Sequence, residues 1–351
     1  MTLGMNCGLY CVSKQICLAV VSALWLVVAS MNAASSADTD SLVRLTKEGA
    51  RELVSSHEGP LSLKGLMSLG PEACAELARH RRIVVLDGLT SVSLDAARAL
   101  GKQVNGLSLN GLTTLSPDVA RELSQGKGDL FLANIRELSP EVAQSFIEGK
   151  GHLYLDAIVE VSPESAEAIS RHRGPLTMSG LRVLVHPALA DKLARKCPYL
   201  IMDSVSEISA PAAEAMAGHA GHLSLASLAS LTPDVARALA KRKGDLNLPG
   251  LQEVTPDVMA ELAKHEGGLS LGLTMLSAEG ATSLSNHVGT LSLNSLETMS
   301  AESAAAFSER SSPLLLGGIR SLDWRARSLL KSNPSVRLPS DFYRMTSDDY
   351  P

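Results

Sequence analysis

The chain has 351 residues, enough for two ordinary domains or one elongated one. Apolar residues make up 45% but aromatics only 3%, a balance that suits stacked layers of Leu and Ala better than the core of a globular enzyme. The formal net charge is −5 and no basic run occurs, so no nucleic-acid footprint is present.

The first segment reads as a secretory signal and not as part of the fold. MTLGMNCGLYCVSKQ carries one charge, Lys14, and Ile16–Ala29 is an uncharged, apolar stretch of 14 residues with a single Ser22, followed by the small residues of SMNAASSA. A basic n-region, a short apolar region and a small-residue cleavage zone occur in that order in a signal peptide. The run is shorter than the ~20 residues of a spanning helix. Residues 1–37 are therefore assigned to a signal, with cleavage after Ala37. A cut nearer Ser30 and an uncleaved N-terminal anchor are the alternatives. The mature chain is expected to be secreted or held in the periplasm or cell envelope, with no membrane span. Losing Lys14 takes its charge to −6 (−5 minus 1). Cys7, Cys11 and Cys17 leave with the signal, and Cys74 and Cys197 remain. Those two stand five repeats apart, about 25 Å at the spacing of parallel strands, which is beyond disulfide reach.

Residues 38–60 read as a degenerate capping repeat, and 61–335 as a solenoid of about 12 units. Strand starts fall at Leu61, Val84, Leu107, Leu130, Leu153, Leu176, Leu200, Leu223, Leu246, Leu269, Leu291 and Leu314. The step is 23 almost throughout, with 24 before Leu200 and 22 before Leu291. Self-similarity at such a period marks a solenoid. In each unit an alternating triplet such as Leu107-Ser108-Leu109 suits a short strand with both leucines inward. Leu112 and Leu115 then point in while the chain turns. SPDVARELSQ reads as a short helix, with Ser116 as N-cap, Pro117 at the first position and Asp118 at the positive helix end. Gly128, with equivalents at Gly59, Gly151, Gly174, Gly221, Gly244, Gly267 and Gly289, lets the backbone swing into the next strand. Helices this short are marginal alone, so each unit buries its leucines against its neighbours. Twelve strands predict one parallel sheet about 58 Å long, wound right-handed.

The pattern L-x-L-x-G-L-x-x-L-S-P-[DE]-V-A-x-x-L-A resembles a bacterial secreted leucine-rich repeat of 23 residues, over about Leu61–Leu338. It departs from the better-known pattern where an Asn ladder would stand, at Leu112 and Leu181. The resemblance implies an α/β solenoid with a parallel sheet on one face and short helices on the other. It also implies a concave sheet face that binds a macromolecular partner, and no catalytic residues.

Four polar features stand out. His57, His80, His172, His219, His265 and His287 fall four residues before strand starts, a slot that Lys196, Arg242 and Arg310 take elsewhere. This is read as a helix C-terminus whose side chains meet the last carbonyls, not as a metal array. On the open side of the strands most units carry Ser or Thr, as at Ser62, Ser108, Thr177, Ser224, Ser270 and Ser292. Units two to seven instead carry Val85, Asp87, Asp129, Phe131, His152, Tyr154, Asp156, Ile201 and Asp203. Those nine residues are the candidate partner-binding set, with Phe131 beside Tyr154 and Asp129 beside His152; the other reading is a surface ladder that stabilises the sheet. His222 and Asp245 form a similar lateral pair, read as structural. One extra residue enters around Val185–Pro187, with CPY in place of the Gly turn, and predicts a bend between Val183 and Ser204.

Residues 336–351 are assigned to a C-terminal cap, with Phe342, Tyr343 and Tyr350 over the last layer. No H-E-x-x-H, C-x-x-C, P-loop or dinucleotide motif occurs, and the one G-x-S-x-G match, Gly268–Gly272, is the strand triplet of one unit, so no catalytic, cofactor or metal residue is assigned. The expected function is an exported scaffold for a protein partner, with cell-envelope polysaccharide as the other partner class. A structural spacer of the envelope with no dedicated ligand is the alternative.

Overall fold

The computed structural model describes residues 39–103, 105–195, 199–340 and 342. The assigned signal with its three cysteines lies outside them, as do Lys196, Cys197, Pro198, Tyr343 and Tyr350. Each triplet forms a strand of two or three residues, and each unit continues into a short helix. The register follows the repeat step. Leu61 sits opposite Val84, Val84 opposite Leu107, and Leu130 opposite Leu153, all in parallel. Lateral stacking at this register shields one unit's leucines with the next unit's. The chain is an α/β solenoid of leucine-rich-repeat type, strands along one side and helices along the other.

Two details correct the expected single sheet of twelve strands. Val336–Arg337, assigned to the cap, pairs in parallel with Leu314–Leu315 and extends the sheet by one strand. The strands also part into a six-stranded sheet, Leu61–Ser62 to Leu176–Thr177, and a seven-stranded sheet, Tyr199–Ile201 to Val336–Arg337. The parting falls where the sequence holds its extra residue. The helix Pro163–Ser170 ends at Arg171 in the right-handed helical region (φ −83°, ψ −5°), whereas Pro187–Ala194 ends at Arg195 in extended backbone (φ −69°, ψ 133°). The units stay joined on their other edge: Val183–Leu184 pairs in parallel with Glu207–Ile208, and the Ser206 N–H donates to the Arg182 carbonyl at 2.9 Å.

The core does not part. One apolar cluster runs from Ala50 to Phe342, built from the two triplet leucines, the Leu or Ile three residues later, and Ala and Leu of the helices. Each buried leucine contributes roughly 1.5–3 kcal/mol. Cys74 is buried within it, and burial pushes its thiol pKa up to about 12, so it acts as a small apolar side chain. The helix starts are as read. The hydroxyls of Ser116, Ser139 and Thr232 each accept the backbone N–H three residues on at 3.3 Å, and Pro takes the first helical position.

The glycine column has a different cause from the expected backbone swing. Its residues keep ordinary backbone angles, and among the described glycines only Gly106 has positive φ, at 149°. A Cβ on Gly151 would lie 1.9 Å from the Gly128 carbonyl oxygen, and one on Gly174 2.0 Å from that of Gly151. Close approach of adjacent units excludes any side chain there. At the head of the column Gly59 has nothing within 4 Å of such an atom.

Candidate interaction face

The histidine slot joins one unit to the one before it. The His80 Nε2 lies 2.8 Å from the Gly59 carbonyl oxygen, and His172 places Nδ1 2.7 Å from that of Phe146 and Nε2 3.0 Å from that of Gly151. Side chains of other types make the same bonds: the Gln103 amide donates to the carbonyls of His80 and Arg82, and the Asn333 amide to those of Phe307 (2.9 Å) and Arg310 (2.8 Å). Arg242, only 1% exposed, donates to Gly221 O at 2.6 Å, and Arg310 donates to Gly289 O. The carbonyls reached belong to the preceding unit, not to the residue's own helix. At the irregular unit Lys192, on the helix itself, donates to the carbonyls of His172 and Gly174. Burial is the main cause holding the imidazoles of His80, His172, His219, His265 and His287 below their ordinary pKa. Carbonyl contacts pull the other way at His80 and His172, and the neighbouring Arg310 adds to the depression at His287. His265 and His287 stack with centroids 6.2 Å apart. Among the described residues no group of three or more His, Cys, Asp or Glu could hold a metal ion.

On the open face the strands bring Phe131 and Tyr154 together as read. Their rings stack at 4.3 Å and 10° from parallel, and the His152 ring stacks on Tyr154 at 4.0 Å and 18°. The His152 Nε2 lies 2.7 Å from the Thr177 hydroxyl. Tyr154 is thus flanked by two rings, and the three rings form a stacked ridge drawn from two neighbouring strands. Burial holds the His152 imidazole below its ordinary pKa, opposed by nearby Asp129. Ile201 is half-buried beside Ser224 on the second sheet, and Tyr199 on the same strand is 67% exposed, its ring 6.3 Å from that of His222. Val85 is only 9% exposed and offers the face little surface.

The carboxylates on this face have a second occupation that sequence reading missed. Asp87 Oδ1 accepts the Ser108 hydroxyl (2.5 Å) and the Asn110 N–H (3.0 Å). Asp156 accepts the hydroxyl and N–H of Ser179, and Asp203 accepts the Ser224 hydroxyl and the Ala226 N–H. Asn110 and Asn294 sit in the same place and accept the N–H of Ala133 and Gly317. Asp129, at the other strand end, accepts the His152 N–H at 3.3 Å, and Asp245 that of Gly268 at 2.9 Å. Leu112 and Leu181 stand where the family pattern would place an Asn ladder; here a ladder of Asp and Asn lies two residues earlier, immediately after the triplet. The recurrence of Asp or Asn at that place is visible once the units are aligned.

No protein-family model and no curated protein matches the chain. Its fold is similar to solved leucine-rich-repeat structures. One is a leucine-rich-repeat protein of Leptospira interrogans (15% identity, 85% of this chain and 81% of that one, TM-score 0.42). Another is an internalin of Listeria monocytogenes (11% identity, 82% of each chain, TM-score 0.37). A third is from the Toll–Spatzle complex of Drosophila (13% identity, 79% of this chain and 36% of that one, TM-score 0.34).

Proposed function

We propose that this repeat scaffold is exported and holds a protein partner against the open sheet face between Val85 and Asp203. One observation carries the reading: the stacked ridge of Phe131, Tyr154 and His152, set among Asp87, Asp129, Asp156 and Asp203 on the open face. The three rings are already stacked on one another, an arrangement that limits the side-chain freedom lost on contact. Among the described residues no helix is long and apolar enough to cross a membrane. Export rests on the N-terminal sequence.

The double variant Phe131→Ser/Tyr154→Ser should keep its helical signal and thermal midpoint near those of the parent chain, and should lose the partner captured from an envelope extract. Capture at the parental level would contradict the reading, and capture of a polysaccharide in place of a protein would change the partner class. The spacer alternative draws on a separate observation, the use of each face carboxylate as a lateral bond. Deleting residues 343–351 tests it: loss of assembly, with the ridge variant assembling normally, would favour a spacer.

A further inference from the structure

The open face is electrostatically one-sided. From Val84 to Gly317 each strand contributes three open positions: the residue before the triplet, its middle residue and the one after it. Five of these are aspartates, Asp87, Asp129, Asp156, Asp203 and Asp245, and none is Lys or Arg. The chain has 32 Lys and Arg, so their absence from this stretch is a property of the face and not of the composition. Lys64 and Arg337 stand only at its two ends. The histidines on the face, His152 and His222, are held below their ordinary pKa chiefly by burial, so they add no cation at neutral pH.

The carboxylates are also fixed in place. Each is tied through Oδ1 to the next unit, by a backbone N–H at 2.9–3.3 Å and in three cases also by a hydroxyl. Such donors are neutral, so the bonds aim the carboxylates without cancelling their charge. Strands stand about 4.8 Å apart, which puts Asp87 and Asp156, three strands apart, at about 14 Å. Residues four apart on an extended peptide span about 13 Å. At such separations, beyond the screening length of about 8 Å at physiological salt, the aspartates act as separate anionic points, each able to meet one cation of an extended ligand.

We infer that the occupant of the open face is a basic segment of the partner protein, its Lys or Arg side chains meeting Asp129, Asp156 and Asp203 on either side of the Phe131–Tyr154–His152 ridge. The inference rests on the proposed function, and its test is separable from that one.

The probe is a labelled nona-arginine peptide titrated against the full chain, with nona-glutamate as the opposite charge. The variant is Asp129→Asn/Asp156→Asn/Asp203→Asn. Asn keeps the accepting oxygen, as Asn110 does toward Ala133, so the fold is preserved. A second variant, Glu164→Gln/Asp257→Asn/Glu302→Gln, removes as many charges from exposed positions on the helices. The face variant should bind nona-arginine at least tenfold more weakly, and the helix variant within twofold of the parent. Raising salt should weaken the parent's binding steeply. Equal weakening in both variants, or no preference for nona-arginine over nona-glutamate, would overturn the inference. So would a natural partner retained by the Asn variant but lost by Phe131→Ser/Tyr154→Ser, and that result would leave the contact surface itself standing.

Discussion

The two runs of the module, Leu61–Thr177 and Tyr199–Arg337, bury the same leucines in the same register but differ in what they show and in how they are latched. The first run carries the ring ridge, where the second, after its opening Tyr199–Ile201 strand, carries Ser224, Asn247, Ser270, Ser292, Leu315 and Arg337 in the equivalent row, with no aromatic ring. Between units the first run uses His80, Gln103 and His172, and the second adds Arg242, Arg310 and Asn333. Inward positions thus set the stack, and the open positions are free to differ. A surface that changes while its scaffold does not is where recognition is best sought.

The largest effect should be the same in both runs. Leu132→Ala and Leu248→Ala each empty a fully buried site and should destabilise by about 2–5 kcal/mol in urea unfolding. A large loss in one run alone would mean that the two are not equivalent scaffolds. Next, Gly151→Ala should destabilise by about 1–3 kcal/mol, because its Cβ would meet the Gly128 carbonyl oxygen at 1.9 Å. Gly218→Ala, with nothing within 4 Å, should leave the thermal midpoint nearly unchanged. Asn333→Leu removes the donor to the carbonyls of Phe307, Ser308 and Arg310 and should lower stability by about 1–3 kcal/mol.

The buried histidines sharpen the comparison through pH. Their folded pKa values lie below the ordinary imidazole value of about 6.5, so the unfolded chain takes up protons first. Stability should be fully present above about pH 6.5 and fall by several degrees of melting temperature as the pH drops below it. His172→Gln, which keeps a donor for the slot as Gln103 does, should flatten that fall. The smallest effect is the ridge itself. Phe131→Ser/Tyr154→Ser should shift stability by only about 1 kcal/mol, the range of a cross-strand pair, while removing the contact.

Much of this was legible in the residues. The step of 23 gave strand register, Ser-Pro gave helix starts, and the adjacency of Phe131 and Tyr154 followed from register alone. What was not legible lies between units. Whether a side chain bonds to its own helix or to carbonyls some 20 residues back has no local signature, so the histidine slot was placed correctly with the wrong partners. The glycines were read as conformational when they are steric, because the neighbour that crowds them is distant in sequence. The Asp and Asn ladder was sought at Leu112 because the family pattern points there. The extra residue near Val185 announced a disturbance, but not that the sheet would part while the core ran through, nor that Lys192 would supply the latch.

The most direct test is carboxyl footprinting of the full chain with carbodiimide, alone and with its captured partner. The account predicts that Asp129, Asp156 and Asp203 lose reactivity in the complex while Glu164, Asp257 and Glu302 on the helices keep theirs. Protection of the helical carboxylates with the three aspartates still reactive would contradict it.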